Sequence, residues 1–164
     1  MGIKYHPKYC SYFPLLLKAL EMVDGDVLEL GAGLNSTFFL HWFCHDRGRQ
    51  LHTYDNSPFY YEIAQKCASD SHTVHLVDDW NAVDLERAWG VVLVDHAPAS
   101  RRKEEARRLA NHAQVILLHD SQWKAERHYH YKEVYPLFRY RYDYPAKPQT
   151  TAVSNFVDVG AWHE

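Results

Sequence analysis

The chain has 164 residues, 46% hydrophobic and 24% charged, with seven glycines and seven prolines, a balance that excludes a disordered or fibrous protein and fits one folded domain. A net charge of −3, a pI near 6.4 and a mean hydropathy of −0.49 exclude the strong positive field that holds a nucleic-acid backbone. No apolar run approaches the roughly 20 residues needed to span a bilayer.

From the amino terminus, Met1 to His6 carries neither a secretory core nor a myristoylation signal. Cys10, Cys44 and Cys67 lie in no metal or redox spacing. Both observations point to the cytoplasm. The Tyr-rich stretch Tyr5 to Tyr12 is expected either to fold over a ligand as a lid or to dock as core. Phe13 to Val23 has helical periodicity, with Pro14 tolerated in the first turn, and Asp24-Gly25 ends it. Asp26 to Leu30 is a short buried strand, followed by a glycine turn and a helix from Ser36 to His45 that Ser36 or Thr37 can cap.

Gln50 to Tyr54 and Thr73 to Val77 are expected as the next strands, separated by a helix from Pro58 to Cys67. A short helical segment is expected over Asp84 to Ala88. Gly90 to Val94 and Val115 to Leu118 are apolar on both faces, as central strands of a parallel sheet are. Between them, Arg101, Arg102, Lys103, Arg107 and Arg108 alternate with Glu104 and Glu105 and read as the solvated face of a helix, Arg101 to Asn111. Phe138 to Tyr144 and Thr151 to Val159 read as a closing hairpin. The whole is an α/β chain of one domain, 1–164, with an N-terminal helix or lid segment (1–24) and a terminal hairpin (137–160).

Three strand ends carry the chemistry. Glu29-Leu30-Gly31-Ala32-Gly33 closes the first strand, where glycines permit a tight turn and let backbone amides approach a ligand. Asp55, with Asn56 after it, closes the second, where an acid can accept from both ribose hydroxyls or cap the helix at Pro58. Asp78-Asp79-Trp80 closes the third, where a carboxylate can meet an adenine amino group and an indole can pack on the base or in the core. A dinucleotide site is disfavoured because Ser36 stands in place of the third glycine of G-x-G-x-x-G, and no G-K-S/T phosphate loop is present.

Read in order, these strand ends resemble the class I S-adenosylmethionine-dependent methyltransferase family over nearly the whole chain. The resemblance implies a Rossmann-like, mostly parallel seven-stranded sheet with helices on both faces and a C-terminal antiparallel hairpin. It implies S-adenosylmethionine as cofactor, with Glu29, Gly31, Gly33 and Ser36 facing the methionine part. Asp55 and Asn56 would then face the ribose, and Asp79 and Trp80 the adenine.

The expected catalytic edge is Asp95 and His96 after the fourth strand with His119 and Asp120 after the fifth, all at adjacent carboxyl ends. Each Asp could instead cap the turn that follows it. A base is needed only where the acceptor carries a proton, and His119 is the first choice because an imidazole titrates near neutral pH and a carboxylate can fix its tautomer. The edge also resembles the metal-dependent catechol-type and macrolide-type O-methyltransferases, which implies a divalent cation on Asp95 and Asp120, with Ser121 where a third ligand would stand. His41 with His45, and His128 with His130, lack a second half and read as packing or surface.

The expected activity is methyl transfer to a small oxygen or nitrogen acceptor. Nucleic-acid and membrane partners are not expected, and exposed aromatics over Gln122 to Tyr131 suggest self-association. A non-catalytic adenosyl-binding module, or hydroxylase or lyase chemistry on the same scaffold, are the alternatives.

Overall fold

The structure, a computed structural model, describes residues 7–162; Tyr5 and His6 of the expected lid lie outside that range. The elements are α1 (Phe13–Met22), β1 (Val27–Leu30), α2 (Ser36–Arg47), β2 (Leu51–Asp55), α3 (Pro58–Ala64) and β3 (His72–Leu76). They continue with β4 (Trp89–Val94), α4 (Arg102–Leu109), β5 (Ala113–His119), α5 (Glu126–Tyr129), β6 (Tyr140–Tyr144) and β7 (Thr150–Ser154). Among the described residues no helix is long and apolar enough to cross a membrane.

One seven-stranded sheet runs in the order β3-β2-β1-β4-β5-β7-β6. The first five positions are parallel, and β7 enters antiparallel between β5 and β6. Strand alternation divides the core in two. Val91, Leu93, Val115 and Leu117 face Leu15, Leu16 and Leu40 of α1 and α2. Val92, Val94, Ile116 and Leu118 face Ala106 and Leu109 of α4 together with Tyr131 and Val134. The central strands are therefore wet on neither side, which is why they read as unbroken apolar runs.

Two expected elements differ. Asp84 to Ala88 is irregular, and the only helical turn in that connection is Trp80–Ala82. Side chains take the backbone acceptors there: Arg108 donates to the Trp80 and Val83 carbonyls, and the Trp89 indole donates to the Leu85 carbonyl at 3.0 Å. With no helix over it, that face of β2 and β3 is covered by rings, Tyr54 stacking on His75 at 4.2 Å and Arg87 lying 4.0 Å over Trp89. The last strand also stops early, at Ser154, not Val159. The Ser154 hydroxyl accepts from the Phe156 and Val157 amides, a local side-chain turn that competes with the ladder.

Register brings the ends of β1, β2, β4 and β5 to one edge. The ladder continues past the strands, with the Gly31 amide on the Tyr54 carbonyl at 2.8 Å and the Asp95 amide on the Leu30 carbonyl at 2.7 Å. Gly31 has φ +100°, and a Cβ there would stand 2.5 Å from the Asp95 carbonyl carbon. Only glycine allows the loops after β1 and β4 to touch.

Candidate active site at the carboxyl edge of the sheet

A cavity of about 500 Å³ opens at this edge, within the size range of small-ligand sites. The loop after β1 gives it Ala32, Gly33, Leu34 and Asn35; β2 and the residues after it give Asp55, Asn56 and Ser57. Asp95, His96 and Ala97 from the end of β4, Arg102 from the start of α4, Tyr9 and Tyr12 from the segment before α1 and Tyr60 from α3 complete its walls.

Asp55 organises the rim. Its carboxylate accepts from the Ala32 amide at 2.7 Å and the Ser57 amide at 2.6 Å. Burial raises its pKa, and these two amide bonds oppose the rise. Each oxygen keeps a second lone pair for a ligand hydroxyl.

Glu29, expected against the ligand, instead lies wholly buried beneath the loop. Its Oε2 accepts from the Thr37 hydroxyl at 2.9 Å and the Thr53 hydroxyl at 2.8 Å. Thr37 in turn accepts from the Gly33 amide at 2.9 Å, and Thr53 pairs with His72 Nε2 at 2.9 Å. With Glu29 ionised, each hydroxyl directs its one proton at the carboxylate and His72 then donates from Nε2. Two hydrogen-bonded chains thus end on one carboxyl, and one of them starts at an amide of the cavity wall. Burial pushes Glu29 up to about 7, against the bonds from Ser36, Thr53 and Thr37. Burial likewise holds His72 down, to about 4.

Asp95, which lines the cavity, converges with His119 and Asp120, one ligand-type atom from each lying within 4.8 Å of the others. His119 Nδ1 is 3.0 Å from the Thr150 hydroxyl on β7, which leaves Nε2 on the side of Asp120, 3.9 Å from Oδ1. The Tyr12 ring meets the imidazole edge-on at 4.9 Å. Asp120 has φ +57°, a left-handed turn that Asp tolerates better than most side chains. Tyr129 donates to its Oδ2 at 3.0 Å.

Arg102 joins these groups. It is 7% exposed and not the solvated residue its run of charges suggests. Its Nη2 lies 2.9 Å from both the Asp95 carboxylate and the Asp95 carbonyl. Its Nε donates to the His96 carbonyl at 2.6 Å, and Nη1 is 3.5 Å from both the His119 carbonyl and Asp120 Oδ2. The guanidinium also lies 4.7 Å over the Tyr129 ring. Burial raises the Asp95 pKa, while His119 and Arg102 draw it down.

Several expected site residues stand elsewhere. Of the expected cofactor set, Gly33, Asp55 and Asn56 line the cavity, whereas Glu29, Gly31 and Ser36 are not among its lining residues. Asp79 is spent capping the turn after β3, accepting from the Asn81 amide at 2.9 Å. Trp80 is buried, its indole donating to the Ala97 carbonyl at 3.1 Å and packing 4.2 Å from His96. His96 Nε2 pairs with the buried Glu105 at 3.0 Å, and burial lowers its pKa; the residue lines the cavity, and its Nδ1 has no hydrogen-bond partner among the described residues. Ser121 accepts from the Thr151 hydroxyl at 2.8 Å, and His119 takes the third place in the cluster expected for it. His41 and His45 stack at 6.3 Å on α2, and His128 accepts from Arg127. Tyr60, Arg102, Tyr129 and Thr150 were not singled out from the sequence as site residues, whereas Tyr12 falls in the Tyr-rich stretch expected as lid or core.

No protein-family model matches the chain, and no curated protein matches it in sequence. Solved structures match it in fold. The chain is similar to human methyltransferase-like protein 13 in complex with SAH at 15% identity and TM-score 0.61, covering 96% of this chain and 84% of that one. It is similar to the methyltransferase domain of bacterial CtHen1-CN at 13% identity and TM-score 0.56, covering 88% and 97%. A SAM-dependent methyltransferase from Geobacter sulfurreducens in complex with S-adenosyl-L-homocysteine matches at 20% identity and TM-score 0.52, covering 77% and 57%. Other matched chains are longer, and this one spans 37% to 61% of them. The fold is that of the class I S-adenosylmethionine-dependent methyltransferases.

Two outcomes follow from the buried charges. Native Glu29 keeps its proton to about 7 while an ordinary glutamate releases it near 4.5. Its contribution therefore favours the fold at acid pH and declines as pH rises through that window. Glu29→Gln, neutral throughout, gains melting temperature relative to the parent between about pH 5 and 8; a constant difference across that range refutes the assignment. Arg102→Met leaves two carboxylates uncompensated and lowers unfolding free energy by about 3 to 5 kcal/mol in urea titration.

Proposed function

We propose that the chain binds S-adenosylmethionine in the cavity at the carboxyl edge and catalyses methyl transfer to a small oxygen or nitrogen acceptor. The observation that carries this is one opening walled by the Gly33 loop, the Asp55 carboxylate and Asp95, the last belonging to the Asp95–His119–Asp120 cluster. The matched structures with bound S-adenosylhomocysteine support the ligand class.

The bound cofactor supplies an electrophilic methyl group on a sulfonium. The chain's own residues hold and orient. Leu34 and Asn35, beside Gly33 in the wall, offer backbone groups to the amino-acid part, Asp55 accepts from the ribose hydroxyls, and Tyr60 offers a ring face to the base in the role first given to Trp80. Tyr12 closes the cavity from the N-terminal side and excludes water from it. His119, with Nδ1–H on Thr150, accepts the acceptor's proton at Nε2, and the Asp120 carboxylate steadies the charge that results. Arg102, which also lines the cavity, positions Asp95 and Asp120.

A second reading rests on the convergence of Asp95, His119 and Asp120. Two carboxylates and an imidazole fit a divalent cation, which would polarise an acceptor oxygen. Arg102 already neutralises part of that charge, which weakens the cation's hold and favours the base reading.

Asp55→Ala weakens S-adenosylmethionine binding by about 1 to 3 kcal/mol in calorimetry through lost hydrogen bonds to a charged group; unchanged affinity removes Asp55 from the site. Isotope-labelled donor, incubated with a panel of acceptors, yields S-adenosylhomocysteine and a mass-shifted product, whereas methylthioadenosine with homoserine lactone would mean cleavage. His119→Asn lowers that turnover about 10²- to 10⁴-fold. Turnover that survives in the parent after exhaustive chelation supports the base, and loss restored by magnesium or manganese supports the cation.

A further inference from the structure

The conspicuous basic run of α4 is neutralised. Arg101 pairs with Glu105, Arg102 with Asp95 and Asp120, Lys103 with Glu133, Arg107 with Glu104 and Arg108 with Glu86. Three cations on the next surface segment are different. Lys124, Arg127 and Lys132 have no carboxylate within ion-pair distance among the described residues, and all three line one open hollow of about 560 Å³. Glu126 and His130 complete its rim with Trp123. Glu126 is the hollow's one acid, and its Oε1 accepts from the Lys132 amide. In a chain of net charge −3, like charges left unpaired around one concavity repel one another, and an anion relieves that repulsion.

Trp123 adds an apolar surface. It is 76% exposed, and Lys132 Nζ lies 3.9 Å over its ring. An indole with one cation on its face presents both a stacking surface and a charge to a ligand that is planar and anionic. The hollow shares no lining residue with the cavity, but it stands on a helix that touches the Asp95–His119–Asp120 cluster. Glu126 and Arg127 share the short α5 with Tyr129, whose hydroxyl donates to Asp120 and whose ring lies beneath Arg102. A ligand that settles on the outer side of α5 is therefore held by the element that contacts the cluster from the other side.

We propose that the Trp123–Lys132 hollow is a binding site for a planar ring bearing a phosphate or carboxylate. The site stands independently of the methyl-transfer reading. Stacking on Trp123 fixes the ring, and Lys124, Arg127 and Lys132 pair with the anionic group. Either anion satisfies those charges, so the two are separated by experiment.

The test is calorimetry on the full chain, with and without S-adenosylhomocysteine, using phenyl phosphate, benzoate and phenol as probes. One of the anions binds saturably and phenol does not; the tighter anion identifies phosphate or carboxylate. Arg127→Gln with Lys132→Gln, both at exposed positions, weakens that binding about tenfold and leaves the melting temperature unchanged. Trp123→Ala weakens both anions together. Failure to saturate by about 10 mM, equal affinity in the double variant, or displacement of the anion by S-adenosylhomocysteine overturns the proposal. Charge-dependent anion binding in a chain that takes up no S-adenosylhomocysteine keeps the site and overturns the methyl-transfer reading.

Discussion

A buried guanidinium joins the two strand ends on which the active edge depends. Arg102 enters from the first position of α4 and satisfies carbonyls of residues 95, 96 and 119 as well as the carboxylates of Asp95 and Asp120. Two acids side by side at the mouth of a sheet repel each other, and each loses hydration as the loops close over it. One planar cation with a fixed fork of donors meets both demands and sets the loops at a defined separation. Without it the residues after β4 and β5 would have no common partner, and Tyr129 would lose the charge over its ring.

A second layer of support lies under the floor. Glu29 collects hydrogen bonds from α2 and β2 and passes its influence through Thr37 to the Gly33 amide. The carboxyl at the start of an E-x-G-x-G turn is here a tie between helix, strand and loop. The loop's shape follows from that tie as much as from the freedom of its glycines. Gly31 supplies the left-handed bend and the close approach to Asp95, while Gly33 supplies a donor that something below must hold.

The architecture was legible because its signals are local. Apolar runs at 90–94 and 115–118, glycine turns and the position of acids after strands announce a parallel sheet within windows of a few residues. The site was legible in outline for the same reason, since Asp55, Asp95, His119 and Asp120 all stand where strands end. What escaped was set by distance along the chain. The burial of Arg102 follows from carboxylates 7 and 18 positions away, and nothing in the pattern Arg-Arg-Lys-Glu-Glu marks one basic residue as interior. The buried pairing of His96 escaped because Glu105 lies opposite it only once α4 packs. The turn at Ser154 and the irregular stretch before β4 were decided by side chains capturing backbone groups, which periodicity does not register.

The left-handed backbone at Asp120 also narrows what related chains can carry there. Glycine, asparagine and aspartate enter that conformation at small cost, whereas branched or bulky side chains are strained in it. Evolution at this corner therefore chooses among a bare turn, a neutral amide and a negative charge. A descendant can gain or lose the acid by one conservative exchange while its backbone path stays the same, so the chemistry of this edge can diverge without any change of shape.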